Sequence, residues 1–315
     1  EEIEMVKYSL KRIGMAIITT LIVIIILFFL LQFMPGSPFN NERLTADQIS
    51  ILNEKYGLDK PIVQRIVIYV KNMCTGDFGV SYNIQQNYPV ASLLASRFPI
   101  TIRLALQSYI VGILFGIILG IIAALHHNGP IDTGTTIFSM LGNSIPSQVL
   151  ALAFVYIFGF KFGWFPLTYD TAHPIISSIL PTLSLSIGVM SMTARYTRNE
   201  MIEVMGSEYI TLAETKGMGR FKVIVVHGLK NALIPLITTM GPMLMGLMTG
   251  STVNERIFAI PGIGSLFIKA IETNDYNVVI TLAFIFSIMF IVSLLVIDLL
   301  YGIIDPRIRL AGGKK

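Results

Sequence analysis

Leu104-Ala-Leu-Gln-Ser-Tyr-Ile-Val-Gly-Ile-Leu-Phe-Gly-Ile-Ile-Leu-Gly-Ile-Ile-Ala-Ala-Leu125 contains no charged side chain. Crossing a hydrocarbon layer takes roughly 20 predominantly apolar residues in one helix. A helix satisfies its own backbone polar groups there, where no water can. Working outward from this run, further charge-free stretches occur at 13–33, 133–160, 174–194, 231–253 and 278–297. Only 13% of the residues are charged and 53% are hydrophobic, against roughly a quarter charged in ordinary soluble domains. The reading is an all-α integral membrane protein of about six transmembrane helices. Pro181 and Gly188 interrupt the fourth run, and Pro235 and Pro242 the fifth. A packed bundle tolerates such residues where neighbours re-satisfy the freed backbone.

Basic residues fix the orientation, because Lys and Arg in short loops favour the cytoplasm. The N-terminal tip carries Lys7, Lys11 and Arg12; the segment after the fourth run carries Arg195, Arg198, Lys216, Arg220, Lys222 and Lys230; the tail carries Arg307, Arg309, Lys314 and Lys315. Placing all three inside makes both termini cytoplasmic. The short outer loops receive fewer, namely Lys161, then Arg256 and Lys269. Residues 1–33 form the N-terminal tip and first span, 34–100 an outer segment, 101–302 the transmembrane core with an inner loop at 195–230, and 303–315 an inner tail. The 13–33 run is longer than a signal-peptide core, and Met34-Pro-Gly-Ser-Pro38 is no A-x-A cleavage site. It reads as a retained helix. The net charge of +4 is scattered between apolar runs, without the basic and aromatic patch of a nucleic-acid binder. Cys74 is the one cysteine, so no internal disulfide and no multi-cysteine metal site can form.

The 34–100 segment has helix signals of its own. Thr45-Ala-Asp-Gln48 has capping-box spacing, and Gly57 supplies a stop. Pro61 and Pro89 suit the first turns of two further short helices. Ile62, Ile66, Val67 and Val70, then Val90, Leu93, Leu94 and Phe98, recur at helical spacing. These predict an outer cap of short amphipathic helices, which serves either as an interfacial lid or as a surface with a role in substrate entry.

The most charged inner segment is the 195–230 loop. Residues Ser207 to Lys216 favour helix, Tyr209, Leu212 and Ala213 can share a face, and Gly217 can end the helix in a left-handed cap. A short surface helix with an abrupt glycine stop suits docking into a partner's groove. Glu208-Tyr-Ile-Thr-Leu-Ala-Glu-Thr-Lys-Gly217 followed by His227-Gly-Leu-Lys-Asn-Ala-Leu-Ile-Pro235 resembles the coupling loop of ABC importer permeases of the peptide type. Further matching pieces are Leu31-Gln-Phe-Met-Pro-Gly-Ser-Pro38, Lys55-Tyr-Gly-Leu-Asp-Lys-Pro61, Thr75-Gly-Asp-Phe-Gly79, Gly163-Trp-Phe-Pro166, Ile260-Pro-Gly-Ile-Gly264, Thr273-Asn-Asp-Tyr276 and Asp298-Leu-Leu-Tyr-Gly-Ile-Ile-Asp-Pro-Arg307. They stand in the family's order along nearly the whole chain. Two departures occur: Thr211-Leu212-Ala213 stands where the general pattern has Glu-Ala-Ala, and Leu229-Lys230 where it has Leu-Pro.

The resemblance implies a type I ABC importer permease in a prokaryotic inner or cytoplasmic membrane, forming half of a peptide pathway with a second, similar permease. Thr211, Leu212, Ala213, Glu214, Thr215, Lys216 and Gly217 would form the coupling helix. It would seat in one of two cytoplasmic ATPases that hold the ATP and Mg, while this chain holds no cofactor. Ala213 and Gly217 carry over most directly, with Glu214 and Lys216 as polar contacts. An external binding protein would deliver oligopeptide at the outer mouth, near Asn254, Glu255 and Arg256. Gly36-Ser-Pro-Phe-Asn-Asn41 and Thr273–Tyr276 look closest to the oligopeptide branch; dipeptides, nickel or a metal chelate are the alternative cargo. A self-contained transporter or channel would instead call for an ionisable relay or an inverted repeat.

No G-x-x-x-x-G-K-[ST] loop occurs, and Gly312-Gly-Lys-Lys315 lacks its spacing and hydroxyl, so ATP hydrolysis is expected elsewhere. No nucleophile motif is present. Adjacent His126 and His127 would point about 100° apart on a helix, which argues for a wet loop over a metal site. Asp298 beside a long apolar run is either a channel-facing gating residue or a helix-end carboxylate pairing Arg307 or Arg309. Met240, Met243, Met245 and Met248 read as an adaptable pathway wall or as plain packing. Pro235, Gly241, Pro242, Gly246 and Gly250 predict a bent or closely packed fifth span bordering the pathway, with Pro235 and Met243 as its pathway or gating residues.

Overall fold

The structure, a computed structural model, describes residues 14–15, 17–26, 28–29, 46–55 and 57–304, with the backbone alone over 294–304. Thr45, the Leu31–Pro38 and Gly36–Asn41 segments, and Arg307, Arg309 and the tail lie outside the described residues. The chain order is α1 (Ile17–Ile26), α2 (Ala46–Lys55), α3 (Ile62–Cys74), α4 (Val90–Leu125), α5 (Pro130–Ser144), α6 (Ser147–Phe154), α7 (Pro174–Ser177), α8 (Ile179–Met205), α9 (Glu208–Thr215), α10 (Arg220–Lys222), α11 (Lys230–Gly250), α12 (Thr252–Ile257), α13 (Ile263–Glu272) and α14 (Tyr276–Ile304). Two π-helical turns intervene, Val155–Lys161 and Val223–Leu229.

Among the described residues, α4 and α14 are each long and apolar enough to cross a membrane. The predicted third span is no single rod. It breaks by 99° between α5 and the helix beginning at Ser147, and counts as a third span if the bent pair is taken together. The cause is Pro146. Its ring drives Ile145 into extended backbone (φ −85, ψ 120), which ends α5 and lets α6 restart with Pro146 as its cap. The fourth run breaks at Ser178, between α7 and α8; Pro181 does not interrupt α8 because it sits in the first turn, where no intrahelical N–H is lost. That helix continues past Ala194 to Met205, so the first part of the predicted inner loop is helical. Pro89 likewise begins no short helix: α4 continues for 36 residues with Pro99 inside it.

The chain falls into two compact units. One gathers the residues up to Ile100 with Pro261–Val292. Its core joins Ile24 and Phe28, Met73 of α3, Val90, Leu93 and Leu94 of α4, Ile263, Leu266 and Ala270 of α13, and Val278 to Leu282 of α14. Phe28 meets the Tyr69 ring edge-on at 5.9 Å. Of the predicted α3 face, Ile62 and Ile66 pack on this core whereas Val67 is 61% exposed. Asp275 ties the unit's loops together. Its Oδ2 accepts from the Ser81 hydroxyl (2.5 Å) and the backbone N–H groups of Tyr82, Asn83 and Ile84 (3.0, 3.0 and 3.2 Å). Asn83 Nδ2 donates to the Thr273 carbonyl at 2.7 Å and Asn277 Nδ2 to that of Val80 at 2.9 Å.

The other unit holds Thr101–Ile260 and is organised around α8, which packs against α5, α6, α7, α11 and α12. Close approach to α4 comes from Gly112, Gly116 and Gly120, one per helical turn. A Cβ on any of them would lie 2.6 Å from Val189, Thr193 or Thr197 Cβ respectively. Small residues at four-residue spacing let two helix backbones touch, the usual substitute in lipid for a hydrophobic drive to associate.

Candidate coupling site

Helix α9 begins after Ser207, whose backbone is extended (φ −81, ψ 153) and whose hydroxyl donates to the Val204 carbonyl at 2.6 Å. It ends in a full Schellman motif. Gly217 takes φ +76, its N–H donates to the Glu214 carbonyl (2.9 Å), and the Met218 N–H donates to the Ala213 carbonyl (3.3 Å). Met218 then folds back onto the apolar cluster of Ile210, Ala213 and Val223, with Val204 and Met205 beside it. A Cβ at Gly217 would meet nothing within 4 Å, so its requirement is conformational.

This packing decides which residues face out. Ile210 and Ala213 are buried, while Tyr209 and Leu212 are 43% and 55% exposed. Thr211, Glu214, Thr215, Lys216 and Gly217 are exposed as well. The expected face of Tyr209, Leu212 and Ala213 is therefore divided: Ala213 anchors the helix and is no surface contact. Phe221, at 80% exposed, and Val225 and Val226 extend the apolar surface beyond α9. Sequence reading passed over Phe221 because it lies past the glycine stop. The π-helical turn Val223–Leu229 seats α9 by packing against both it and α8. A Cβ at Gly228 would lie 3.2 Å from Met205 Sδ. Asn231 Nδ2 donates to the His227 carbonyl at 2.8 Å and reaches the Tyr209 hydroxyl at 3.4 Å. Helix α9 is thus joined to α8 through Ser207 and to α11 through the π-helical turn.

The other expected site residues lie apart from this one. Asn254 and Glu255 on α12 are fully buried, which corrects their expected role at a surface. Glu255 Oε1 accepts from Thr101 Oγ1 at 2.7 Å and Ser251 Oγ at 3.3 Å, and Asn254 Nδ2 donates to Ser147 Oγ at 3.3 Å. These bonds tie α12 to α4 and α6, while Asn254 Oδ1 is buried without a partner; Arg256 alone of the three is exposed. Pro235 lies exposed and Met243 half-buried on α11. Asp298 belongs to α14, and its side chain lies outside the described residues. His126 and His127 are exposed, as a wet turn requires. Among the described residues no cluster of three or more His, Cys, Asp or Glu could hold a metal.

The family described as "Binding-protein-dependent transport system inner membrane component" matches residues 116–310, and its N-terminal companion, "Binding-prot-dependent transport system membrane comp, N-term", matches 5–105. The dipeptide transport system permease protein DppB of Lactococcus lactis subsp. cremoris is 41% identical over 307 residues, 97% of this chain and 100% of the relative. The oligopeptide transport system permease protein OppB of Haemophilus influenzae is 37% identical over 306 residues, again 97% of this chain and 100% of the relative. Among solved structures, an inward-facing form of the MetNI methionine ABC transporter aligns with a TM-score of 0.56 at 17% identity, covering 68% of this chain and 97% of that one, a likeness of fold. The chain therefore belongs to the inner-membrane components of binding-protein-dependent transport systems, and within them to the OppB and DppB type of ABC permease.

Proposed function

We propose that this chain is the transmembrane permease subunit of an ATP-driven peptide importer. It forms half of the pathway beside a second, similar permease, crosses the cell membrane about six times and keeps both termini in the cytoplasm. Two ATPase subunits bind ATP and Mg, and an external binding protein delivers the cargo. The observation that carries this reading is α9: a short helix locked to α8 and α11 from behind, with Tyr209 and Leu212 turned outward. A rigid knob with an apolar tip is what a moving partner needs in order to push on a bundle. Nucleotide then acts on the permease only through the docked partner's differential affinity for its two states.

Peptide as cargo is supported by the names of full-length relatives, among them dipeptide permeases at 41% and 38% and an oligopeptide permease at 37% identity. The Thr273–Tyr276 segment, which pointed to oligopeptides, is occupied in binding the 81–84 loop through Asp275 and Thr273. The reading accordingly takes both lengths as cargo. Reconstitution with candidate ATPases and a binding protein tests it, comparing uptake of dipeptides, longer peptides and chelated nickel. ATP-dependent uptake of peptide is expected; peptide uptake without any ATPase contradicts the reading.

A further inference from the structure

The α4–α5 turn is fastened to α8 by an ion pair between a buried carboxylate and a partly buried guanidinium. Asp132, 3% exposed, lies in the first turn of α5. Arg198 of α8 grips it at two points, with Nε on Oδ1 and Nη2 on Oδ2 at 2.8 Å. The Asn128 N–H donates to Oδ2 at 2.9 Å from a residue at φ +62, and His127 Nδ1 stands 3.4 Å from the same oxygen. Arg198 Nη1 also donates to Asn199 Oδ1 at 3.1 Å. One carboxylate thus holds the turn's backbone and the neighbouring helix together.

Further along the same two helices the contact is of another kind. Gly142 of α5 lies against Ser191, where an added Cβ would sit 2.1 Å from the hydroxyl. The Ser139 and Ser191 hydroxyls are buried without a hydrogen-bond partner. The seam of Gly142, Ser139 and Ser191, with Ile187 beside it, brings the backbones together through non-directional contacts that leave the register along the helix axes to other groups. The two-point ion pair supplies that register. Breaking such a pair leaves an uncompensated buried charge, so it resists separation.

We propose that Asp132 and Arg198 are positioning residues for energy coupling: the pair locks α5 to α8, so that a displacement entering at α9, just beyond the end of α8, carries α4, α5 and the pathway with it. This deepens the proposed function and rests on that reading. Without the pair, α8 moves against the small-residue seam, and ATP is spent with less transport.

The test uses the complete reconstituted importer, with peptide uptake and ATP hydrolysis measured in the same vesicles. Asp132→Asn and Arg198→Lys are each expected to lower the peptide transported per ATP by about fivefold or more. The KM for peptide should stay within about twofold, as for a loss outside the binding step. The exchange of Asp132→Arg with Arg198→Asp should recover part of the ratio, though an arginine at a helix N-terminus opposes the dipole. A purely architectural pair would lower uptake, hydrolysis and assembled complex together and leave the ratio unchanged; that result overturns the proposal. Hydrogen exchange over residues 126–131 supplies an arm independent of transport. Faster exchange there in Asp132→Asn, with α9 unchanged, is expected, and unchanged exchange overturns the locking. Wild-type vesicles without ATP-driven uptake would overturn the functional reading instead, and the exchange arm would still decide the lock.

Discussion

Two polar turns of this molecule, the α9 turn at 207–218 and the 80–84 turn bound by Asp275, are fixed with equal care and to opposite ends. In the first, the backbone closes on itself through Gly217, apolar Ile210, Ala213 and Met218 face inward, and the longer side chains are left outside. In the second, the side chains bond within the turn: Ser81, Asn83 and Asn277 donate to Asp275 Oδ2 and to the Thr273 and Val80 carbonyls, while Asp275 Oδ1 is buried without a partner. Glu208–Gly217 and Thr273–Tyr276, which supplies Asp275, both resemble family motifs. The difference teaches that a motif's place in the chain says little about its use, whereas the direction in which its polar groups point says much.

The comparison breaks most visibly at Asp275. Asp275→Ala leaves a buried hydroxyl and backbone N–H groups without their acceptor, at about 1–3 kcal/mol for each group left unsatisfied. Thermal unfolding in nanodiscs should show a loss of about 2–6 kcal/mol, set chiefly by the buried Ser81 hydroxyl and Tyr82 N–H, with faster proteolysis of the 75–89 loop. At the other turn, Gly217→Val forces a branched side chain into a left-handed backbone, costing about 1–2 kcal/mol. Its expected signature is a loss of uptake larger than the loss of assembled protein. Asn83→Ala sharpens the contrast, since it removes one hydrogen bond to Thr273 worth about 1 kcal/mol and should leave transport per folded molecule unchanged. Lys216→Ala, on the exposed end of α9, is expected to change stability by less than about 0.5 kcal/mol and to weaken ATPase docking only slightly.

What could be read from the sequence follows the range of the interactions. The stop at Gly217 and the start at Ser207 were legible because caps are local. So was the apolar character of α4 and α14, which needs no partner to be recognised. Which face of α9 is buried was not legible, since 209, 212 and 213 and the pair 210 and 213 both satisfy helical spacing; the choice is made by Val223 and Met205, outside the helix. The bend at Pro146 had a local signal, a proline after Ile145, that was hidden inside a charge-free run. The Asp132–Arg198 pair spans 66 positions and the Ser81–Asp275 bond 194, distances over which neither residue announces the other. Asn254 and Glu255 misled for a related reason: polarity in the sequence cannot distinguish a surface from a buried knot.

In the proposed function, force enters this chain through the outward side of α9. The most direct measurement is ATP-driven peptide uptake by the Tyr209→Ala, Leu212→Ala double variant in vesicles with its ATPases, normalised to assembled permease. Both side chains lie outside the apolar cluster that anchors the helix and the variant gives up only the exposed 3.4 Å Asn231–Tyr209 contact, so thermal stability should fall by less than about 1 kcal/mol while uptake falls by about tenfold or more, the effect of removing two apolar contacts from a docking site. Uptake equal to wild type, at equal stability, would contradict the account.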